Sequence, residues 1–66
     1  MSWADRVIET DSINPQLASR LARAMDHWRR LAEPYRTAAH EAIKRVSAKT
    51  DLSDDVREII TRSLQD

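Results

Sequence analysis

Not one of the 66 residues is glycine. Glycine is the residue that reaches positive φ without steric cost. Its absence argues against type I′ and II′ hairpins and against loops that cradle phosphate. With 41% hydrophobic and 33% charged residues, alanine prominent among the former, the chain reads as all-α: three to four short antiparallel helices forming one segment over residues 1–66. The length is too small for a doubly wound sheet or a barrel enzyme. A chain of this size buries only about 60% of the surface its unfolded form exposes, so its stability needs reinforcement. There is no cysteine, which removes disulfides and thiolate metal sites and leaves regular helix packing or a partner.

Four helices are predicted, over about 3–12, 15–32, 34–49 and 54–64. Ser2 caps the first, with Asp5 three residues on, and Trp3, Val7 and Ile8 give it a narrow apolar stripe. Asn14-Pro15 is a cap followed by proline at the first helical position, where its missing N–H costs nothing; Ile13 before it is placed as a staple. The second helix then carries Leu17, Leu21, Ala24, Met25, Trp28 and Leu31 at spacings of three and four, with Asp26 and Arg30 as a pair. Pro34 ends it and opens the third, whose apolar residues are Tyr35, Ala38, Ala39, Ala42, Ile43 and Val46, with Glu41 and Arg45 paired on its wet side. Ser53 caps the last, Asp54 and Asp55 complement its dipole, Leu52, Val56, Ile59, Ile60 and Leu64 form its buried stripe, and Glu58 pairs with Arg62. Short connections predict that successive helices are neighbours.

No active site assembles from these residues. His40-Glu41 begins the zinc-peptidase pattern H-E-x-x-H, but the place of the second histidine holds Lys44, and a cation cannot be that ligand. His27 reads as a surface histidine beside a core tryptophan, and the serines have no base at a defined spacing. The reading is therefore a non-enzymatic chain with no catalytic, cofactor or metal residue of its own. Lys+Arg and Asp+Glu are 11 each, so the footprint of a nucleic-acid binder is missing. Arg20, Arg23, Arg29, Arg30 and Arg36 stand against Asp26 and Glu33 between Pro15 and Arg36, a local net of +3. A basic recognition helix is conceivable there, but Pro34 in the turn argues against it. Arginines of this kind more often line a solvated face or a protein contact. No apolar run approaches the roughly 18 residues of a membrane span and nothing resembles a signal peptide, so the expected place is the cytoplasm.

One stretch is more specific. Asn14-Pro15-Gln16-Leu17-Ala18-Ser19-Arg20, preceded by Ile8-Glu9 and followed by Arg29-Arg30, resembles the C-terminal end of bacterial alanyl aminopeptidases (aminopeptidase N). Leu52-Ser53-Asp54-Asp55 and Ile60-Thr61-Arg62-Ser63-Leu64 match the closing motifs of that family. Departures are local: Leu31-Ala32 replaces a tyrosine-aspartate, and Tyr35-Arg36 displaces an arginine by one position. The resemblance implies the last helices of a HEAT-like α-superhelix that closes over a thermolysin-like zinc domain and limits substrate access. It implies zinc in the parent enzyme and none here, with the preceding domains as partner. The interaction face expected for such a segment is Trp3, Val7, Ile8, Arg20, Arg23 and Arg30, with the alanine-rich face of the third helix as an alternative apolar patch. An isolated segment is then expected to self-associate, for instance by swapping its first helix. A free-standing helical adaptor is the alternative reading, and a DNA-binding regulator a weaker one.

Overall fold

The computed structural model describes residues 2–65, all helix and turn. Helix α1 spans Trp3–Asp11, α2 Pro15–Arg23, α3 Tyr35–Ser47 and α4 Asp54–Leu64, with a single 3₁₀ turn at Trp28–Arg30 between α2 and α3. Three of the helix starts are made by the side chains the sequence marks. The Ser2 hydroxyl accepts from the Asp5 amide at 3.2 Å, Asn14 Oδ1 from Leu17 at 3.2 Å, and Ser53 Oγ from Val56 at 3.3 Å. Each satisfies an amide that the helix itself leaves without a partner.

The long second helix predicted over 15–32 is not formed. α2 stops at Arg23, the chain runs through hydrogen-bonded turns, and Trp28–Arg30 form the 3₁₀ turn. The apolar pattern continues through the break because the turns keep Met25 and Trp28 against the core. The buried face of α2 is also rotated from the predicted one. Ala18, Ser19 and Ala22 are buried, whereas Leu17 is 45% exposed and Ala24 is exposed. Small residues there let the neighbouring helices approach closely, which a leucine stripe would prevent. Ile13 is 80% exposed and staples nothing.

Helix α1 packs against α2 and α3, and α4 packs against the same two, so the helices form a ring in which α2 and α3 lie on a diagonal. The expectation that successive helices are neighbours therefore holds for α1–α2 and α3–α4. It fails for α2–α3 because the irregular segment between them carries the chain across. The core at the centre is built from Val7, Ile43, Val46, Val56 and Ile60, all fully buried, with Ala4, Ala39, Leu52, Ile59 and Trp28 around them. The radius of gyration is 10.9 Å, close to the roughly 11 Å expected of a folded chain this long.

Candidate interaction surfaces

Long-range hydrogen bonds fix the frame on which the surfaces sit. The Trp3 indole donates to the Leu21 carbonyl at 2.6 Å, and the Trp28 indole to the Ser63 carbonyl at 2.8 Å. Both acceptors lie in the last turn of a helix, where carbonyls lose their regular α-helical partner. Arg29 Nη1 also donates to Ser63 O, at 3.0 Å, and its guanidinium lies 4.5 Å over the Trp28 ring. His40 of α3 stacks on the same ring at 4.8 Å and 7°. The histidine beside Trp28 in space is thus His40, while His27 is exposed.

Asp11 was missed by sequence reasoning. It is buried at the end of α1, and its carboxylate accepts from the Ser53 amide at 2.7 Å and the Ser53 hydroxyl at 2.6 Å. The signal was present: an acid in the last turn of a helix opposes the dipole, so it needs a donor from elsewhere. The predicted Asp26–Arg30 and Glu41–Arg45 pairs give way to other contacts. Asp26 accepts from the Ser63 hydroxyl at 3.5 Å, and Arg45 reaches Asp5 on α1. Glu58–Arg62 forms as expected, at 3.5 Å.

The six residues of the expected interaction face are separated by the fold. Val7 is 0% exposed in the core, and Trp3 and Ile8 are half-buried against it, so the apolar stripe of α1 is turned inward. Arg30 is exposed on the 3₁₀ turn. Arg20 and Arg23 alone come together, in an open cleft of about 390 Å³ between α2 and α4 lined also by Gln16, Asp55, Glu58 and Arg62. Among the described residues neither guanidinium has a hydrogen-bond or ion-pair partner. The C-terminal end of the α2 dipole favours their charge in place of a carboxylate.

A second surface has the opposite character. Met25, Leu31, Tyr35, Ala38, Ala39 and Ala42 line a hollow of about 380 Å³ along α3, with Tyr35 68% exposed. The alanine-rich face of α3 is therefore open, although Ala39 itself is buried. Two carboxylates are held below their ordinary range, and both lie outside these hollows. Hydrogen bonds from the Thr37 hydroxyl and amide do this for Glu33, and the Lys49 ammonium at 2.8 Å does it for Asp51. Among the described residues no group of three histidine, aspartate or glutamate side chains is gathered that could hold a metal ion, and no helix is long and apolar enough to cross a membrane.

Residues 1–65 match the family model described as a domain of unknown function (DUF3458_C) with ARM repeats. The chain belongs to this family. The match runs over nearly the whole chain and agrees with the all-helical architecture. No solved structure matches the chain.

Proposed function

We propose that this chain is the non-catalytic C-terminal helical segment of a zinc aminopeptidase, packed on the rest of that enzyme and helping to limit which peptides reach the metal. The observation that carries the reading is the ARM-repeat family match over residues 1–65. The motifs from Asn14 to Arg20 and from Leu52 to Leu64, which resemble the end of alanyl aminopeptidases, connect that family to the enzyme. The two surfaces divide the work. The apolar hollow on α3 suits a protein contact, and the arginine cleft between α2 and α4 suits a wet boundary facing peptide. Guanidinium groups with no protein partner attract carboxylate, the one charge every unmodified peptide carries at its far end.

The test is made on the native-length gene product. Release of N-terminal alanine from an alanyl anilide and from peptides is measured before and after o-phenanthroline. Chelator-sensitive exopeptidase activity is expected there and none from residues 1–66 alone. A native product without that activity would sink the reading. In an active product, Arg20→Gln combined with Arg23→Gln is expected to raise KM for peptides several-fold while leaving the small anilide unaffected.

A further inference from the structure

The cleft between α2 and α4 is unevenly charged along its length. Asp11, just before α2, grips Ser53 just before α4, and Asp26, just past α2, meets Ser63 in the last turn of α4. The two helices therefore run parallel. The cleft residues of α4 repeat the spacing of those on α2. This sets Gln16 level with Asp55 at one end and Arg23 level with Arg62 at the other, with Arg20 one turn inside.

Three guanidiniums thus gather toward one end. The acids near them are otherwise engaged or distant. Glu58 is paired with Arg62 at 3.5 Å, and Asp26 takes the Ser63 hydroxyl and does not line the cleft. Asp55 stands about 10 Å, two turns, from the level of Arg23, and its place in the first turn of α4 answers the dipole there. The carbonyls at the arginine end are covered as well: Leu21 O takes the Trp3 indole, and Ser63 O takes the Trp28 indole and Arg29. Those bonds reduce the partial negative charge that two helix ends would otherwise turn on an anion.

Arg20 and Arg23 are the charges left unmatched, with a third guanidinium across the cleft. A carboxylate is planar and singly charged, and one guanidinium fork satisfies it. A phosphate monoester carries about −1.5 to −2 at neutral pH and offers three strong acceptor oxygens. It matches two bare guanidiniums on one helix and a third on the other. The open cleft of about 390 Å³ also leaves room, toward Gln16 and Asp55, for whatever carries the phosphate.

We infer that the end of the cleft formed by Arg20, Arg23 and Arg62 binds a phosphate group, free or as the monoester of a small molecule. The inference does not rest on the peptidase reading. Where that reading holds, phosphate competes with the peptide carboxylate for the same arginines.

The experiment titrates inorganic phosphate into the native-length gene product by isothermal titration calorimetry. Treatment with o-phenanthroline and dialysis first remove any heat from phosphate on a bound metal, and fixed ionic strength holds screening constant. One saturable event is expected. Arg20→Gln combined with Arg23→Gln should weaken it about tenfold or more, the loss expected of hydrogen bonds between charged groups. Arg62→Gln should weaken it several-fold. Arg6→Gln combined with Lys44→Gln removes the same charge from exposed positions outside the cleft and should change nothing. No saturable heat, binding that survives the cleft pair, equal weakening by the control pair, or acetate binding as tightly as phosphate each overturns the inference. Arg20 and Arg23 are exposed, so unchanged helical circular dichroism is expected. If the glutamine pair loses helix, Arg20→Lys combined with Arg23→Lys carries the test, since it keeps the charges and removes the forks. Several-fold weaker binding is then expected, and unchanged binding overturns the site. Glycerol 3-phosphate binding more tightly than phosphate would identify a monoester ligand, and equal affinity the free anion; both keep the site. Phosphate binding by a product without exopeptidase activity sinks the peptidase reading alone, and an exopeptidase that binds no phosphate sinks this inference alone.

Discussion

The two ends of α4 are held by different kinds of contact. At its start, Ser53 caps the helix and is itself gripped by the Asp11 carboxylate from the end of α1. At its finish, the Ser63 carbonyl takes hydrogen bonds from the Trp28 indole and the Arg29 guanidinium, both from the irregular segment between α2 and α3. The first clamp is small and polar, and its serine acts within three residues of itself. The second is a large aromatic that also fills the core, and its acceptor lies 35 residues away. A short helix with no glycine or disulfide near it is thus tied once by local chemistry and once by tertiary packing. The second tie is made by residues beyond the end of α2 at Arg23, where the chain has left the helix.

Breaking the far clamp should cost most. Trp28→Ala is expected to lower unfolding free energy by about 3–5 kcal/mol, the range for truncating a core tryptophan, which is much of the roughly 5–15 kcal/mol a domain has. Urea denaturation followed by circular dichroism checks it. A cost below that of Trp3→Ala would refute the ranking, because Trp3 is only half-buried and makes one hydrogen bond of the same type. The near clamp comes next. Asp11→Ala leaves the half-buried Ser53 donors short of a partner and is expected to cost about 1–3 kcal/mol. Ser53→Ala removes a cap worth about 0.5–2 kcal/mol. The two should fall short of additive in a double-mutant cycle, since both remove the hydroxyl–carboxylate contact. Strict additivity would show that Asp11 does not act through the Ser53 hydroxyl.

The same contrast explains what could be read from the sequence. Ser2, Asn14 and Ser53 were legible because a cap acts on its own helix, within three residues. The buried stripes of α3 and α4 were largely legible for the same reason: Ile43, Val46, Val56 and Ile60 repeat at helical spacing on helices that stay regular. The break after Arg23 was not, because no glycine or proline marks it and the apolar residues keep a helical period across it. The choice of Ala18 and Ala22 over Leu17 for the core is a property of how closely α1 and α4 approach, which periodicity does not contain. For the surfaces, the sequence placed Arg20, Arg23, His27 and Arg30 on one stripe, of which Arg20 and Arg23 line the same cleft. It had no means of knowing that Trp3, Val7 and Ile8 would be consumed by the chain's own core.

Helix α3 offers the finest version of the comparison, because its start is capped by a group that titrates. Glu33 Oε1 accepts from the Thr37 amide at 2.9 Å and the Thr37 hydroxyl at 2.8 Å. These bonds favour the ionised form and hold its pKa below the ordinary 4.5. A carboxyl whose pKa is depressed on folding contributes stability that is present above the unfolded value. That contribution is lost as pH falls through the lower folded value. The start of α3 should therefore loosen in acid, with the Thr37 amide resonance moving at a midpoint below 4.5. The hydroxyl cap of Ser53 on α4 has no such proton to gain. Glu33→Gln keeps an acceptor and should abolish the titration at Thr37. Thr37→Val removes the hydroxyl, the larger of the two causes, and should move the Glu33 midpoint back toward its ordinary value. The effect on global stability is the smallest of the set, since Glu33 lies on the exposed surface, where water screens such contacts. A Thr37 midpoint at or above 4.5 would mean that its hydrogen bonds do not favour the charged carboxyl. The start of α3 would then depend on packing, as the end of α4 does, and not on a cap.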